Sequence, residues 1–260
     1  LGDVYKRQIA NGPFFAEGDG CGQEVIFGPK CIEQLVTKVP PLGKRALLVT
    51  DSGLTAAGHP KRVMELLEHG GVEVTLFDQS IENPTDSSVQ FCAEVAKQAE
   101  IELIVGLGGG SSMDTAKGCN FILTNGGSMA EYWGIGKAKH NMLPLVAVPT
   151  TAGTGSECQS FALISDDRTH QKMACGDKKA LPCLTVLDPE LTLSQPENVT
   201  ACTGVDALAH ALESSVSNKR NELSYRHSKL AFELIQETLP RVLSEPDDLE
   251  ARGLVLLGAC

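Results

Sequence analysis

Apolar positions between residues 45 and 124 switch between two periods. Ala46–Thr50 (ALLVT) is a short apolar run with the texture of a buried strand, and Asp51 follows it directly. Ser52–Gly58 is small and polar and predicts a loop. In Lys61–His69 the apolar residues Val63, Leu66 and Leu67 have helical spacing, and Gly70-Gly71 closes the segment. Val72, Val74 and Leu76 alternate as a strand does, up to Asp78. Glu82-Asn83-Pro84-Thr85 reads as a turn and Val89–Gln98 as a helix. Ile101, Leu103, Ile104 and Val105 form a run too short for a helix and rich in β-branched residues, a further strand. A helix from Met113 to about Thr124 follows. Such β-α-β-α-β-α alternation predicts an α/β fold, a mostly parallel sheet with helices on both faces. Ligands of these sheets lie at the carboxyl ends of the strands, so Asp51, Asn83, Gly108–Ser111 and the segment after Val148 belong to one edge.

Further along, Asn125–His140 is a glycine-rich loop holding Trp133, the only tryptophan, and is expected to pack over the sheet. Leu145–Pro149 is a fourth strand-like run, and Phe161–Ile164 and Leu184–Leu187 are two more. The texture changes near Ser194. Thr200–Ser217, Leu223–Leu239 and Asp248–Cys260 are helix-like with no strand between them, and Asp188-Pro189 and Gln195-Pro196 mark the join. The expected division is an α/β nucleotide-binding domain over 9–193 and the start of an all-helical domain over 194–260. Leu1–Gln8 shows no periodicity and is expected to lie outside the fold. Ala251–Cys260 reads as the middle of an apolar helix without a stop signal, so the chain is expected to be a fragment of a longer protein.

Composition narrows the partners. With 260 residues, 42% of them hydrophobic, the chain can bury one large core or two modest ones. Its net charge of −11 argues against a nucleic-acid backbone or an anionic membrane surface. No run approaches the ~18 apolar residues of a membrane span, and no signal-peptide pattern is visible. The nine cysteines are scattered, with no C-x-x-C pair. That pattern predicts buried thiols in a reducing cytoplasm rather than a disulfide framework or a zinc knuckle.

Three stretches carry candidate chemistry. IELIVGLGGGSSMDTAK (Ile101–Lys117) runs from strand through glycines into a helix start. Glycines allow close approach of a ligand, and a helix N-terminus offers free N–H groups at the positive end of a dipole. That suits a phosphate or diphosphate, although Ser111 stands where the usual dinucleotide fingerprint has its third glycine. A tight turn without a ligand has the same sequence. Thr150-Thr151-Ala152-Gly153-Thr154-Gly155-Ser156-Glu157 places four hydroxyls and two glycines directly after a strand, which suits hydrogen bonding to a ligand or a plain polar connection. Asp206 and His210 are four apart on one helical face, as two metal ligands or as a solvated pair. The histidines at 59, 69, 140, 170 and 227 have no comparable spacing to a second ligand.

The loops GGGSSMD (Gly108–Asp114) and PTTAGTGSE (Pro149–Glu157), with LDPELTLSQPENVTACTGVDALAHALE (Leu187–Glu213), resemble the iron-containing, group III alcohol dehydrogenase family. The resemblance runs from about Phe14 to Cys260. It implies a Rossmann-like nucleotide domain followed by a helical domain, with the active site in the cleft between them. It further implies that Asp51 accepts hydrogen bonds from the adenosine ribose and disfavours a 2′-phosphate, and that Asn83 reaches the nucleotide. Gly109, Gly110 and Ser111 would cradle the diphosphate, with Asp114 following on the helix. Thr150, Thr151 and Thr154 would bind near the diphosphate and nicotinamide, and Lys172 would contact the ribose. Asp206 and His210 match two of the four metal ligands, one aspartate and three histidines, the other two lying beyond Cys260 in the family. The implied cofactors are NAD and a divalent metal, Fe²⁺ before Zn²⁺. The implied reaction is hydride transfer between NAD(H) and a small alcohol or aldehyde, in a cytoplasmic homodimer. A zinc-dependent glycerol or polyol dehydrogenase and a non-catalytic NAD-binding fragment are the alternatives. The fragment alone is expected to bind NAD(H) weakly without turnover, because two ligands do not complete a catalytic metal site.

Overall fold

The computed structural model describes residues 22–260. The expectations for Leu1–Gln8, for a domain starting at residue 9 and for a resemblance starting at Phe14 therefore lie outside the described residues. Strand β1 (Glu24–Phe27) leads through a 3-10 turn into the single-turn helix α1 (Leu35–Lys38). Then come β2 (Arg45–Val49), α2 (Ser52–Ala57), α3 (His59–His69), β3 (Glu73–Phe77), α4 (Asp86–Gln98), β4 (Leu103–Gly108) and α5 (Gly110–Asn125). A short helix α6 (Met129–Tyr132) precedes β5 (Gly134–Ile135), β6 (Leu145–Pro149), β7 (Phe161–Ser165), β8 (Lys172–Gly176) and β9 (Leu184–Leu187). Three helices end the chain: α7 (Glu197–Val216), α8 (Glu222–Ser244) and α9 (Leu249–Ala259).

Six strands form one sheet in the order β1-β9-β6-β4-β2-β3, every pair parallel. Side chains alternate between its faces. Leu47 and Val49 of β2 enter a core with Val89 of α4 and Ala116 of α5. Ala46 and Leu48 enter the opposite core with Val63 and Leu67 of α3. Because both faces are covered, β4 and β6 are buried throughout and read as continuous apolar runs. From β2 the chain steps outward to β3 and then returns to the other side of β2 to form β4. The crevice beyond the carboxyl ends of β2 and β4 is thus a topological switch point, where such sheets bind ligands.

Several expectations change. Ser52–Gly58 is not a loop: Ser52–Ala57 is helical, because the Asp51 carboxylate accepts the Leu54 N–H at 3.0 Å and caps it. This helix buries no residue, so it carries no periodic signal. Phe161–Ile164 is a strand outside the main sheet, pairing antiparallel with β8 in a three-stranded sheet β5-β8-β7. Strands β1 and β8 were not anticipated. In the 125–140 segment Met129 and Tyr132 enter the core while Trp133 remains 44% exposed. Among the cysteines, 31, 92, 119 and 175 are buried thiols as expected, but Cys158 and Cys260 form a disulfide with Cα atoms 5.8 Å apart. They are 102 residues apart in sequence, and only tertiary packing of the α9 end against the 156–158 turn joins them.

The three terminal helices start and stop within a few residues of their predicted bounds. Their shared core takes in Ala207, Leu234, Ile235, Leu239 and Leu256, and also Val25 and Leu187 of the sheet. Loop and helices meet without a gap at Gly153, where a Cβ would stand 2.6 Å from the Thr203 carbonyl oxygen on α7. Among the described residues no helix is long and apolar enough to cross a membrane.

Candidate nucleotide and metal site

β4 ends at Gly108, whose φ of +143° favours glycine, and an added Cβ there would lie 2.6 Å from Ser112 Oγ. Gly109 is the N-cap of α5 and makes no side-chain cap hydrogen bond. The Met113 N–H donates to Gly109 O, so the N–H groups of Gly110, Ser111 and Ser112 precede the helical ladder at the positive end of a sixteen-residue helix. The wall opposite is made of threonines. A Cβ on Gly109 would lie 3.2 Å from Thr151 Cγ2, and one on Gly110 would lie 3.0 Å from Thr154 Cγ2. Any larger residue would fill this cradle, and its free N–H groups suit a diphosphate. Thr150 closes its floor, donating its N–H to Gly108 O at 3.0 Å.

Every predicted site residue lines one of two adjoining cavities. The larger, ≈ 710 Å³, runs from Asp51 past Gly109, Gly110 and Ser111 to Thr150, Thr151 and Thr154. The second, ≈ 430 Å³, joins Asn83, Gly110, Ser111, Asp114, Thr154 and Lys172 to Asp206 and His210. Gly110, Ser111 and Thr154 belong to both. Asp51 does two structural jobs at the outer end: it caps α2, and its Oδ2 accepts the Ser112 hydroxyl at 3.4 Å. Asn83 holds a left-handed φ of +54° and donates its N–H to Ser111 Oγ at 3.4 Å. Burial pushes the Asp114 carboxyl up to about 6, opposed by the neighbouring Lys117 ammonium and by the Ser156 hydroxyl, which donates to its Oδ1 at 3.1 Å. Lys172 opens β8 on the far wall, exposed.

Asp206 and His210 face the inner end. Their Oδ1 and Nε2 atoms are 3.6 Å apart, and the side chains are 46% and 48% exposed. Carboxylate and imidazole are suitable donors for a divalent metal, but a catalytic metal takes at least three protein ligands. Among the described residues no group of three or more His, Cys, Asp or Glu is placed to hold one. The pair is therefore too few donors to form a metal site alone. His227, the histidine without matching spacing, lines a third cavity of ≈ 440 Å³ that His210 also borders.

Sequence reasoning missed Ser80, Ile81 and Glu82 on the outer cavity and Gln195, Val199 and Thr203, which close it from the helical side. None of these lies in a recognisable spacing. It also assigned no role to Ser156 or Glu157, though both stand in the threonine loop motif.

Residues 22–189 match the family model described as iron-containing alcohol dehydrogenase, and residues 200–260 match that of the Fe-containing alcohol dehydrogenase family, C-terminal. The chain belongs to the iron-containing alcohol dehydrogenase family. Within it, the chain is 39% identical over 228 residues to alcohol dehydrogenase 4 of Schizosaccharomyces pombe, covering 87% of this chain and 54% of that protein. It is 36% identical over 228 residues to the NAD-dependent methanol dehydrogenase of Bacillus methanolicus, covering 87% and 60%. A crystal structure of 1,3-propanediol oxidoreductase superposes with a TM-score of 0.88 at 33% identity, covering 90% of this chain and 62% of that one. The chain thus spans between half and two thirds of the length of these relatives.

Proposed function

We propose that this chain carries the nucleotide site and part of the metal site of an alcohol dehydrogenase that moves a hydride between NAD(H) and a small alcohol or aldehyde. The supporting observation is the continuity of the two cavities across Gly110, Ser111 and Thr154, with the Asp51 carboxylate at one end and Asp206 and His210 at the other. A dinucleotide laid through both would put its adenosine at Asp51 and its nicotinamide near His210. In that pose Asp51 Oδ2 accepts from a ribose hydroxyl, and the N–H groups of Gly110, Ser111 and Ser112 hold the diphosphate. Thr150, Thr151 and Thr154 line the opposite wall, Asn83 closes over Ser111, and Asp114 and Lys172 flank the nicotinamide ribose. The bound nicotinamide supplies the hydride donor or acceptor. The threonine wall and α7 flank its inner half and orient it toward the Asp206–His210 end.

Asp206 and His210 are assigned as two ligands of a divalent cation, Fe²⁺ before Zn²⁺. Two ligands do not complete a catalytic metal site. The proposed division is an α/β nucleotide-binding unit over 9–193 and a helical unit over 194–260. A cytoplasmic location is proposed from the four buried free thiols, with the Cys158–Cys260 disulfide as the observation against it, and a homodimer from the family resemblance. The deciding experiment is titration of the chain with NADH, followed by fluorescence, beside a Gly110→Val variant that fills the cradle. NADH should bind the unmutated protein and not the variant. Failure of NADH to bind the unmutated protein at millimolar concentration refutes the assignment.

A further inference from the structure

Lys117 lies on α5, about two turns past its start at Gly110, and is fully buried. An ammonium removed from water is costly unless its donors are met. Here Nζ donates to Ser156 O at 2.6 Å, to Ser156 Oγ at 3.0 Å and to Phe161 O at 2.9 Å, which uses all three. Two buried carboxyls accompany it. Asp114 accepts from the same Ser156 hydroxyl. Glu157 is 2% exposed, with Oε1 lacking any hydrogen-bond partner. Desolvation pushes Glu157 up to about 7, and it holds Lys117 down at about 8 despite both carboxyls.

The turn fixed in this way places one residue at the nucleotide site. The Ser156 N–H donates to Thr154 Oγ1 at 3.3 Å, and the Gln159 amide donates to Thr154 O at 2.9 Å. Thr154 borders all three cavities and approaches Gly110 so closely that a Cβ there would lie 3.0 Å from its methyl. We propose that Lys117 is a positioning residue for dinucleotide binding: by clamping the Ser156 turn to α5 it sets the gap between Gly110 and Thr154 through which the diphosphate and nicotinamide pass. Lys117 itself lines none of these three cavities. This rests on the nucleotide reading given above, and it assigns to a buried charge a role that packing alone does not require.

The test is Lys117→Met combined with Glu157→Gln, which removes the ammonium at nearly constant volume and neutralises Glu157, leaving Asp114 with the Ser156 hydroxyl as its donor. NADH affinity, AMP affinity and thermal midpoint are measured together on the 260-residue chain. The double variant should melt cooperatively near the unmutated protein. Its NADH dissociation constant should rise by about tenfold, the cost of one misplaced hydrogen-bonding wall. AMP, held by Asp51 and the start of α5, should bind within about twofold of before. Unchanged NADH affinity in the folded double variant overturns the proposal, as does parallel loss of NADH and AMP binding. If the double variant does not fold, Ser156→Ala serves instead. It removes the hydroxyl that joins Lys117 to Asp114 while the Nζ bond to Ser156 O remains, so NADH should weaken by about a few-fold with AMP unchanged, and unchanged NADH affinity or a parallel loss of AMP there also overturns the proposal. No NADH binding by the unmutated protein is a different result and removes the nucleotide reading itself.

Discussion

Asp51→Asn separates the role the structure shows for this carboxylate from the one proposed for it. Asp51 Oδ1 caps α2 through Leu54 N–H at 3.0 Å, and Oδ2, which accepts only a 3.4 Å contact from Ser112 Oγ beside the outer cavity, is the proposed ribose acceptor. Asparagine caps helices about as well as aspartate, so stability should change by only a few tenths of a kcal/mol. Asp51→Ala loses the cap as well, at about 1 kcal/mol, which for a chain of this size is about 2–4 °C in Tm. The charge effect is larger. A 2′-phosphate carries roughly −1.5 to −2 charges. A unit pair about 4 Å apart repels by roughly 1 kcal/mol at the dielectric of water and about 4 kcal/mol at an effective value of 20. Asp51 is half-buried, which places the penalty near the lower end, at about 2 kcal/mol. That corresponds to a roughly 30-fold preference for NADH over NADPH. Glu82 lines the same cavity, so Asp51→Asn should narrow the ratio to a few-fold rather than reverse it. Both cofactors are titrated by fluorescence at low and high salt, where the preference should shrink with ionic strength. Equal affinities in the unmutated protein refute the reasoning. So does a ratio that stays constant in Asp51→Asn while Asp51→Ala weakens both cofactors, which would make the carboxylate a cap and nothing more.

Three further outcomes are expected. Gly153→Ala should destabilise the chain by about 2 kcal/mol, because its Cβ would lie 2.6 Å from a backbone oxygen of Thr203 that cannot rotate away; urea unfolding measures it. Glu157 has its pKa raised by burial from 4.5 to about 7, so its contribution to stability is complete below about 4.5 and is lost as pH rises through about 7. Glu157→Gln should therefore gain on the unmutated protein between pH 5 and pH 7.5 in thermal melts, and a difference independent of pH counts against an ionising Glu157. In the active enzyme, His210→Ala should weaken the divalent metal by about 10–100-fold or more, as read by metal content after dialysis, and undiminished metal retention contradicts its assignment as a ligand.

Legibility in the sequence followed the range of each interaction. Strands β2, β4 and β6 announced themselves because a sheet covered on both faces demands unbroken apolar runs, and the edge strand β3 by its alternation, signals contained in five or six residues. The glycine loop was equally local, since strand, glycines and helix start are consecutive. Asp51 was placed at the right edge, but its cap on α2 was hidden, because a six-residue helix with no buried face leaves no period to read. Strand β8 was silent for a related reason: Lys172–Gly176 takes its partner from β7 across a turn and alternates too briefly to show. The disulfide was unreadable in principle, because spacing says nothing about a pairing across 102 residues. The buried charge carried no signal at all. Lys117 closes the stretch that holds the glycine loop, and in three dimensions its stem turns inward and its ammonium is spent on the backbone and hydroxyl of a turn 39 residues away. A sequence motif therefore mixes residues that meet a ligand with residues that hold those residues still. The two kinds separate only by asking where each donor's hydrogen bonds go. At this site Ser111 and Thr154 open to the cavities, whereas Lys117 has every donor satisfied inside the protein.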